Sequence, residues 1–397
     1  MITLISWLLG AVALLILLPV TVLFAQVLLA CLPPRAQAQA SAAGPRPRVA
    51  VLVPAHNEAS GIVATVQGIH RQLLEGDRLL VVADNCDDQT AALARGAGAE
   101  VVERQHGQLR GKGYALDCGV RHLAAAPPDV VVVIDADCQV SPGSIEHLAQ
   151  RCIAAAGPVQ GLDLMCAPPG AGLKILIAEF AWRVKNLVRP LGWARAGLPC
   201  QLMGTGMAIG WQDIAAANLA TGHLVEDLKL GLDFCRAGKP PLFCPQARVT
   251  SLFPTSQEGL SGQRTRWEHG HLGVLLADGP KLVASALAKG NWPLLAMSLD
   301  LMVPPLALLT LALVGLFVVS WLVFLLLGVL LPAVLATLAL LMLGSAVLLA
   351  WSRFSREVIP FSVLIYAPLY ALKKIPLYLG FLIKRQVEWV RSKRDDG

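Results

Sequence analysis

Val130-Val-Val-Val-Ile-Asp-Ala-Asp137 joins an unbroken branched apolar run to two acids spaced two apart, and its reading decides the fold. Five consecutive branched residues suit a short strand buried on both faces, because a strand with one wet face alternates. Three similar runs precede it: Val49-Ala-Val-Leu-Val53, Leu79-Leu-Val-Val-Ala83 and Glu100-Val-Val102. Helix-length segments rich in Ala, Leu and Gln separate them. This alternation predicts an α/β domain over residues 48–291, with a mixed, mainly parallel, Rossmann-like sheet covered by helices. Ligands bind such sheets beyond the carboxyl ends of the strands. Polar residues cluster there: Pro54-Ala55-His56-Asn57-Glu58, Asp84-Asn85-Cys86-Asp87-Asp88 and Asp135-Ala136-Asp137. Taken singly, each is also ordinary loop chemistry, since Asn and Asp cap helices and form turns.

The flanks of this domain are apolar. Of 397 residues, 55% are hydrophobic and 15% charged, and the mean hydropathy is +0.59, too apolar for an ordinary soluble domain. Residues 1–34 carry no charge and are long enough for a helix through about 30 Å of hydrocarbon. A signal peptide would be shorter and begin with basic residues. Arg35, Arg46 and Arg48 follow, which by the positive-inside rule puts the α/β domain in the cytoplasm. Asp300 is the one charged residue in the 59 positions from Pro293 to Trp351. That length predicts two transmembrane helices over 293–351, turning near Trp321 to Gly328.

Residues 358–384 are apolar but interrupted by Pro360, Pro368, Pro376 and Lys373-Lys374. Paired lysines are costly at the bilayer centre, so the segment reads as an interfacial helix, with a further span as the alternative. Residues 385–397 form a basic tail. Positions 351–397 hold nine Lys and Arg against four Asp and Glu, nearly all of the net +6. The balanced remainder offers no basic face for nucleic acid. Nine cysteines without a CxxC pair suit reduced thiols on the cytosolic side. Leu173 to Gly197 sets five basic residues against Glu179 beside apolar residues at helical spacing. It reads as a membrane-surface helix near 173–197 or as a core-packing one.

Which chemistry the strand ends serve is narrowed by what is missing. No GxGxxG follows the first strand, and Gly107-Gln-Leu-Arg-Gly111-Lys112-Gly113 falls one residue short of a P-loop. Carboxylates two apart can hold a hard divalent cation that keeps its other positions for water and phosphate oxygens. Downstream, Val225-Glu226-Asp227 opens a helix, and Gln263-Arg264-Thr265-Arg266-Trp267 begins another with Gln263 and Trp267 on one face.

In this order and spacing the groups resemble the motifs of membrane-embedded family 2 glycosyltransferases of GT-A fold, which include cellulose, hyaluronan and poly-N-acetylglucosamine synthases. The pieces are Pro54 to Glu58, Asp84 with Asp88, Arg110-Gly-Lys-Gly-Tyr-Ala-Leu116, Asp135-x-Asp137, Glu226-Asp227 and Gln263-x-x-Arg266-Trp267. The resemblance implies that Pro54, Ala55, Asn57, Glu58, Asp84 and Asp88 surround the nucleotide, with Asp84 at the uracil and Lys112 on the diphosphate. Asp135 addresses the ribose and, with Asp137, a Mg²⁺ or Mn²⁺ ion. Gly204, Thr205 and Gly206 line the donor sugar. Gln263, Arg266 and Trp267 shape the acceptor and diphosphate pocket. Asp227, beside Glu226, is the general base. Ala83, Asn85-Cys86 and Val225 depart from the usual pattern and leave the donor preference open.

One base and no second nucleophilic carboxylate implies a single displacement with inversion. The expected protein is thus a multi-pass, metal-dependent glycosyltransferase of the bacterial inner membrane, passing sugar from a nucleotide sugar, foremost a UDP-sugar, to a polysaccharide or lipid-linked acceptor. Membrane lipids and a homo-oligomer or export partner accompany that reading. Two alternatives stay open: a single-sugar lipid glycosyltransferase similar in layout to glucosylceramide synthase, and a catalytically inactive GT-A scaffold subunit.

Overall fold

The computed structural model describes residues 2–33, 45–254 and 257–383. Arg35 and the basic tail at 385–397 lie outside them. The chain divides into two compact units, a sheet unit built from segments ending at 168 and spanning 198–270, and a helical unit of 2–33, 169–197 and 271–383.

The sheet unit contains β1 (Val49–Ala55), α2 (Ile62–His70), β2 (Arg78–Asp84), α3 (Thr90–Gly96), β3 (Glu100–Arg104), α4 (Lys112–Leu123), β4 (Val130–Val133), β5 (Gln139–Val140), α5 (Ser144–Ala155), β6 (Val159–Cys166), β7 (Met207–Gly210), α8 (Trp211–Ala216), α9 (Glu226–Arg236) and β8 (Leu242–Leu252). The helical unit begins earlier in the chain, with α1 (Ile2–Ala30). Strand order is β3-β2-β1-β4-β7-β6-β8-β5. Parallel pairing joins β1 to β2, β2 to β3, β1 to β4 and β6 to β8, whereas β7 runs antiparallel to both β4 and β6.

All-apolar strands fold this way because both faces are covered. Val49, Val51, Val53, Val130 and Val132 pack with Ile62, Ile69, Ile145 and Leu148 of α2 and α5. Alternate residues Ala50, Leu52, Val131 and Val133 point the other way, onto Leu116 and Leu123 of α4, Ile214 and Phe234. The order of strand addition reverses between the parallel neighbours β1 and β4, the switch point at which such sheets open a crevice at the carboxyl ends of their strands. This is the mixed, mainly parallel sheet that the branched runs predict.

In the helical unit, α1 is joined by α6 (Leu173–Arg183), a π-helical turn at Val184–Val188, α7 (Arg189–Arg195), the later part of α10 (Gln257–Lys289), α11 (Trp292–Leu301), α12 (Leu306–Leu327) and α13 (Leu330–Phe354). Among the described residues, three helices, α1, α12 and α13, are long and apolar enough to cross a membrane. Gly328, at φ +72°, closes α12 where the turn was expected.

Several boundaries differ from the sequence reading. The segment 293–351 holds α11 as a separate short helix, cut off before Pro304-Pro305 because proline lacks the N–H and disfavours helix before it. Of the segment 358–384, the described residues to 383 form α14 (Phe361–Ile365), α15 (Ala367–Leu372) and α16 (Ile375–Ile383) instead of one helix, for Pro360, Pro368 and Pro376 restart it each time. The stretch 173–197 belongs to the helical unit, not the α/β domain, and while Lys174 and Lys185 are exposed, two of its arginines form inward pairs. Arg183 meets buried Glu179 at 2.8 Å, and buried Arg189 meets buried Asp300 at 2.8 Å. Such pairing fits the core-packing reading of this helix.

Candidate active site

The polar strand ends lie close together, and hydrogen bonds to neighbouring loops hold them. Asn57, at φ +54°, turns the chain after β1 and accepts the Asp87 N–H at 2.9 Å. Asp88 accepts from Thr90 N at 2.9 Å and from Ala59 N at 3.1 Å, so it caps α3 and ties two loops together. Pro54 and Ala55 end β1 itself. Asp84 is buried at the end of β2, where its Oδ1 accepts from Arg104 Nη1 at 2.5 Å and Asn85 Nδ2 at 3.0 Å. The Arg104 guanidinium lies 5.4 Å from the Tyr114 ring centroid. Arg104 was not singled out in the sequence, although a basic residue ending a strand beside an acid-tipped neighbour is its signal.

Gly-Lys-Gly has a physical reason at 111–113. Gly111 has φ +129°, a conformation that favours glycine. A Cβ on Gly113 would lie 2.5 Å from Leu219 O and 2.7 Å from Thr221 O. The two glycines press the start of α4 against a neighbouring loop and aim Lys112 inward. Lys112 Nζ pairs with the Asp135 carboxylate and donates to Gly204 O at 2.8 Å. Gly113→Ala should therefore lower kcat/KM for donor turnover by about 10²-fold, the scale of a 1 Å misplacement. Gly68→Ala on α2, which meets only Arg71 Nη2 at 3.9 Å, should leave it unchanged.

Thr205 and the two glycines beside it support the acids. Thr205 Oγ1 accepts the Asp135 N–H at 3.1 Å, and Gly206 N donates to Val133 O at 2.9 Å. Gln160, fully buried in β6, donates to Thr205 O at 2.8 Å and accepts from Met203 N at 2.8 Å. Sequence reasoning missed Gln160, whose signal was a polar side chain inside a buried strand. Gly204 has φ +94°, and a Cβ there would stand 3.2 Å from Asp227 Oδ2 and 3.3 Å from Lys112 Nζ. Asp227 and Lys112 thus flank the same glycine.

Glu226 and Asp227 occupy the first turn of α9. Burial, the Asp227 charge and Asp135 push the Glu226 carboxyl up to about 7, against the pull of Lys112. Burial alone would lower Lys112, but the Asp135, Glu226 and Asp227 carboxylates outweigh it and hold the ammonium above the ordinary lysine value. Unfolded Glu226 releases its proton near the ordinary glutamate value of 4.5, while the folded one keeps it to about 7. The folded state therefore binds more protons across that window, and this contribution to stability is lost as pH rises through it. Glu226→Gln should flatten the fall in melting temperature between those two pH values, measured without added ligand.

Gln263, Arg266 and Trp267 lie in the two turns of α10 before Gly270. A Cβ on Gly270 would come within 2.7 Å of Val225 Cγ1, next to Glu226. The Oε1 of buried Gln263 has no hydrogen-bond partner among the described residues. Among the described residues, no group of three or more His, Cys, Asp or Glu can hold a metal by itself. Half-buried Asp135 and Asp137 supply hard oxygen donors two residues apart. That set suits Mg²⁺ or Mn²⁺ completing its sphere with phosphate oxygens and water.

A family profile described as "Glycosyltransferase like family 2" matches residues 45–270. Probable glycosyltransferase YdaM of Bacillus subtilis is 26% identical over 253 residues, 58% of this chain and 56% of that protein. The chain thus spans little more than half the length of that relative. Uncharacterized glycosyltransferase Rv0539 of Mycobacterium tuberculosis is 30% identical over 190 residues, 41% of this chain and 81% of that protein. Among solved structures, mannosyltransferase PcManGT of Pyrobaculum calidifontis, in complex with GDP-Man and Mn²⁺, superposes with a TM-score of 0.56 at 16% identity. The superposition covers 95% of this chain and 100% of that one, a likeness of fold.

Proposed function

The family match covers more than half of the chain, which therefore belongs to the glycosyltransferase-like family 2, and from that premise we propose an inverting, metal-dependent transfer of sugar from a nucleotide sugar to a membrane-held acceptor. The observation that carries this reading is the convergence of Lys112, Asp135 and Asp227 around Gly204 at the carboxyl end of the sheet.

The chain's own residues divide the work. Asp84, held by Arg104, faces the base of the nucleotide, and the stitched 54–58 and 84–88 loops wall the nucleoside. Asp135 and Asp137 would hold a Mg²⁺ or Mn²⁺ ion, which would supply positive charge to the leaving diphosphate. Lys112, joined by Arg266 from α10, adds cationic charge where negative charge develops. Gly204, Thr205 and Gly206 bring backbone close to the donor sugar, since a side chain at 204 would intrude between Asp227 and Lys112. Glu226, pushed up to about 7, keeps its proton on the acid side of neutrality and leaves Asp227 as the base, following the rule that neighbouring carboxyls pushed apart take different roles. Asp227 accepts the acceptor hydroxyl's proton as that oxygen attacks the anomeric carbon from the face opposite the diphosphate. Gln263 and Trp267 border the acceptor side.

The three apolar helices support a multi-pass protein of the bacterial inner membrane with the sheet unit in the cytoplasm, and an acceptor that is a lipid or a lipid-anchored glycan. To test this reading, full-length protein in detergent with Mg²⁺ or Mn²⁺ is given a panel of UDP- and GDP-sugars while diphosphate release and product are followed. Release of a nucleoside diphosphate with an inverted anomeric product is expected. No release with any donor would turn the reading into that of an inactive scaffold. Product length separates one-sugar transfer from polymer synthesis, for which membrane lipid extract and short oligosaccharides serve as acceptors.

A further inference from the structure

Lys112 has two tasks that exclude each other in space. Its ammonium is paired with the Asp135 carboxylate and hydrogen-bonded to Gly204 O at 2.8 Å. Asp135 is the same carboxylate that the metal reading requires, and Asp137 is its one neighbour in the motif. A dication on that oxygen and an ammonium on the same oxygen repel each other at short range. The lysine backbone is pinned, because Gly111 is in a left-handed conformation and Gly113 is against the 219–221 backbone. The four-carbon stem can swing, and the diphosphate of a bound nucleotide would offer the ammonium a strong further acceptor besides the neighbouring Glu226 and Asp227 carboxylates.

We infer that Lys112 couples metal and nucleotide binding: it competes with a divalent cation for Asp135, and a nucleoside diphosphate relieves that competition by drawing the ammonium away. The inference rests on the proposed donor site and goes beyond it by giving the order and mutual dependence of the two ligands. Wild-type protein binds Mn²⁺ weakly alone and tightly once a nucleoside diphosphate is present, and by linkage Mn²⁺ tightens the nucleotide by the same factor. Lys112 acts as a positioning residue in this coupling, in addition to its charge on the diphosphate.

Binding of Mn²⁺ to the full chain in detergent is followed by the electron paramagnetic resonance signal of free Mn²⁺, with and without UDP or GDP. Lys112→Met should bind Mn²⁺ alone more tightly than wild type, by about 5- to 150-fold, the usual range of coupling between sites. The added effect of the nucleotide on Mn²⁺ affinity should shrink correspondingly. Lys112→Arg, which keeps the cation, should retain weak metal binding alone and much of the coupling. Equal or weaker Mn²⁺ binding by Lys112→Met overturns the inference, provided its melting temperature matches wild type. Should that variant melt early, Lys112→Gln is the second test with the same two outcomes. Asp135→Asn in the Lys112→Met background tells the two ideas apart. If tight Mn²⁺ binding survives there, the ion sits elsewhere and the proposed metal site itself fails.

Discussion

Asp227→Asn lowers kcat by about 10²- to 10⁴-fold, the contribution of a positioned general base, and leaves nucleotide affinity within a few-fold of wild type. The amide keeps the size and the place on the first turn of α9, so the surrounding packing is retained while the proton acceptor is lost, together with its charge beside Glu226 and Lys112. Stopped-flow or quench measurement of sugar transfer gives kcat, and titration with the nucleoside diphosphate gives binding separately. Glu226→Gln provides the contrast. That carboxyl is pushed up to about 7, so on the acid side of neutrality the amide resembles its protonated form and the rate there should fall far less. If Asp227→Asn keeps more than a tenth of the activity while Glu226→Gln does not, the two roles are exchanged. If both keep it, the base lies on another element.

Removing the Asp300 charge unfolds the helical unit at a lower temperature. Asp300 Oδ1 accepts from Gln26 Nε2 at 2.6 Å, from Arg189 Nε at 3.1 Å and from Arg189 Nη2 at 2.8 Å, and Arg189 Nη2 also donates to Asp300 O at 2.6 Å. All three residues are buried. Breaking a buried pair from one side leaves an uncompensated charge, typically at a cost of about 3–5 kcal/mol. Asp300→Asn should therefore lower the melting temperature markedly in detergent, and Arg189→Met likewise. Replacing both, as Arg189→Met with Asp300→Leu, removes the orphaned charge along with its partner and should restore much of the loss. A double variant as unstable as the sum of the two singles would mean that the residues contribute independently. The same neighbourhood is closely packed, since a Cβ on Gly192 would stand 2.0 Å from Gln26 O.

The two expected effects differ in how far ahead they were visible. Asp227 was legible because Glu-Asp at a helix start, together with a strand ending in Asp-x-Asp and a Gln-x-x-Arg-Trp turn, forms an ordered set that one sequence displays directly. The Asp300 pair was not. A single acid among 59 apolar and neutral positions signals a partner without saying which one, and Arg189 stands 111 positions away. The basic stretch at 173–197 read equally well as a surface stripe, because helical periodicity places residues on a face but cannot say whether that face meets water, lipid or an acid.

Local rules thus determined the branched strands, their two-sided burial, the three long apolar helices and the polar strand ends, since each depends on residues close together in the chain. Prolines at 360, 368 and 376 carried the breaks in the last apolar segment as well, though their effect as three helices emerged only in the fold. Tertiary structure alone decided what the polar residues do once the ends converge. It turned Asp88 into a cap, put Arg104 on Asp84 and made Gln160 the clamp of the 203–206 turn. It also joined Lys112 to Asp135 beneath Gly204, across 23 and 92 positions of chain. Those pairings are set by the register of strands β1, β4 and β7 and by the close approach of α4, and spacing along the sequence contains neither distance nor direction across a sheet.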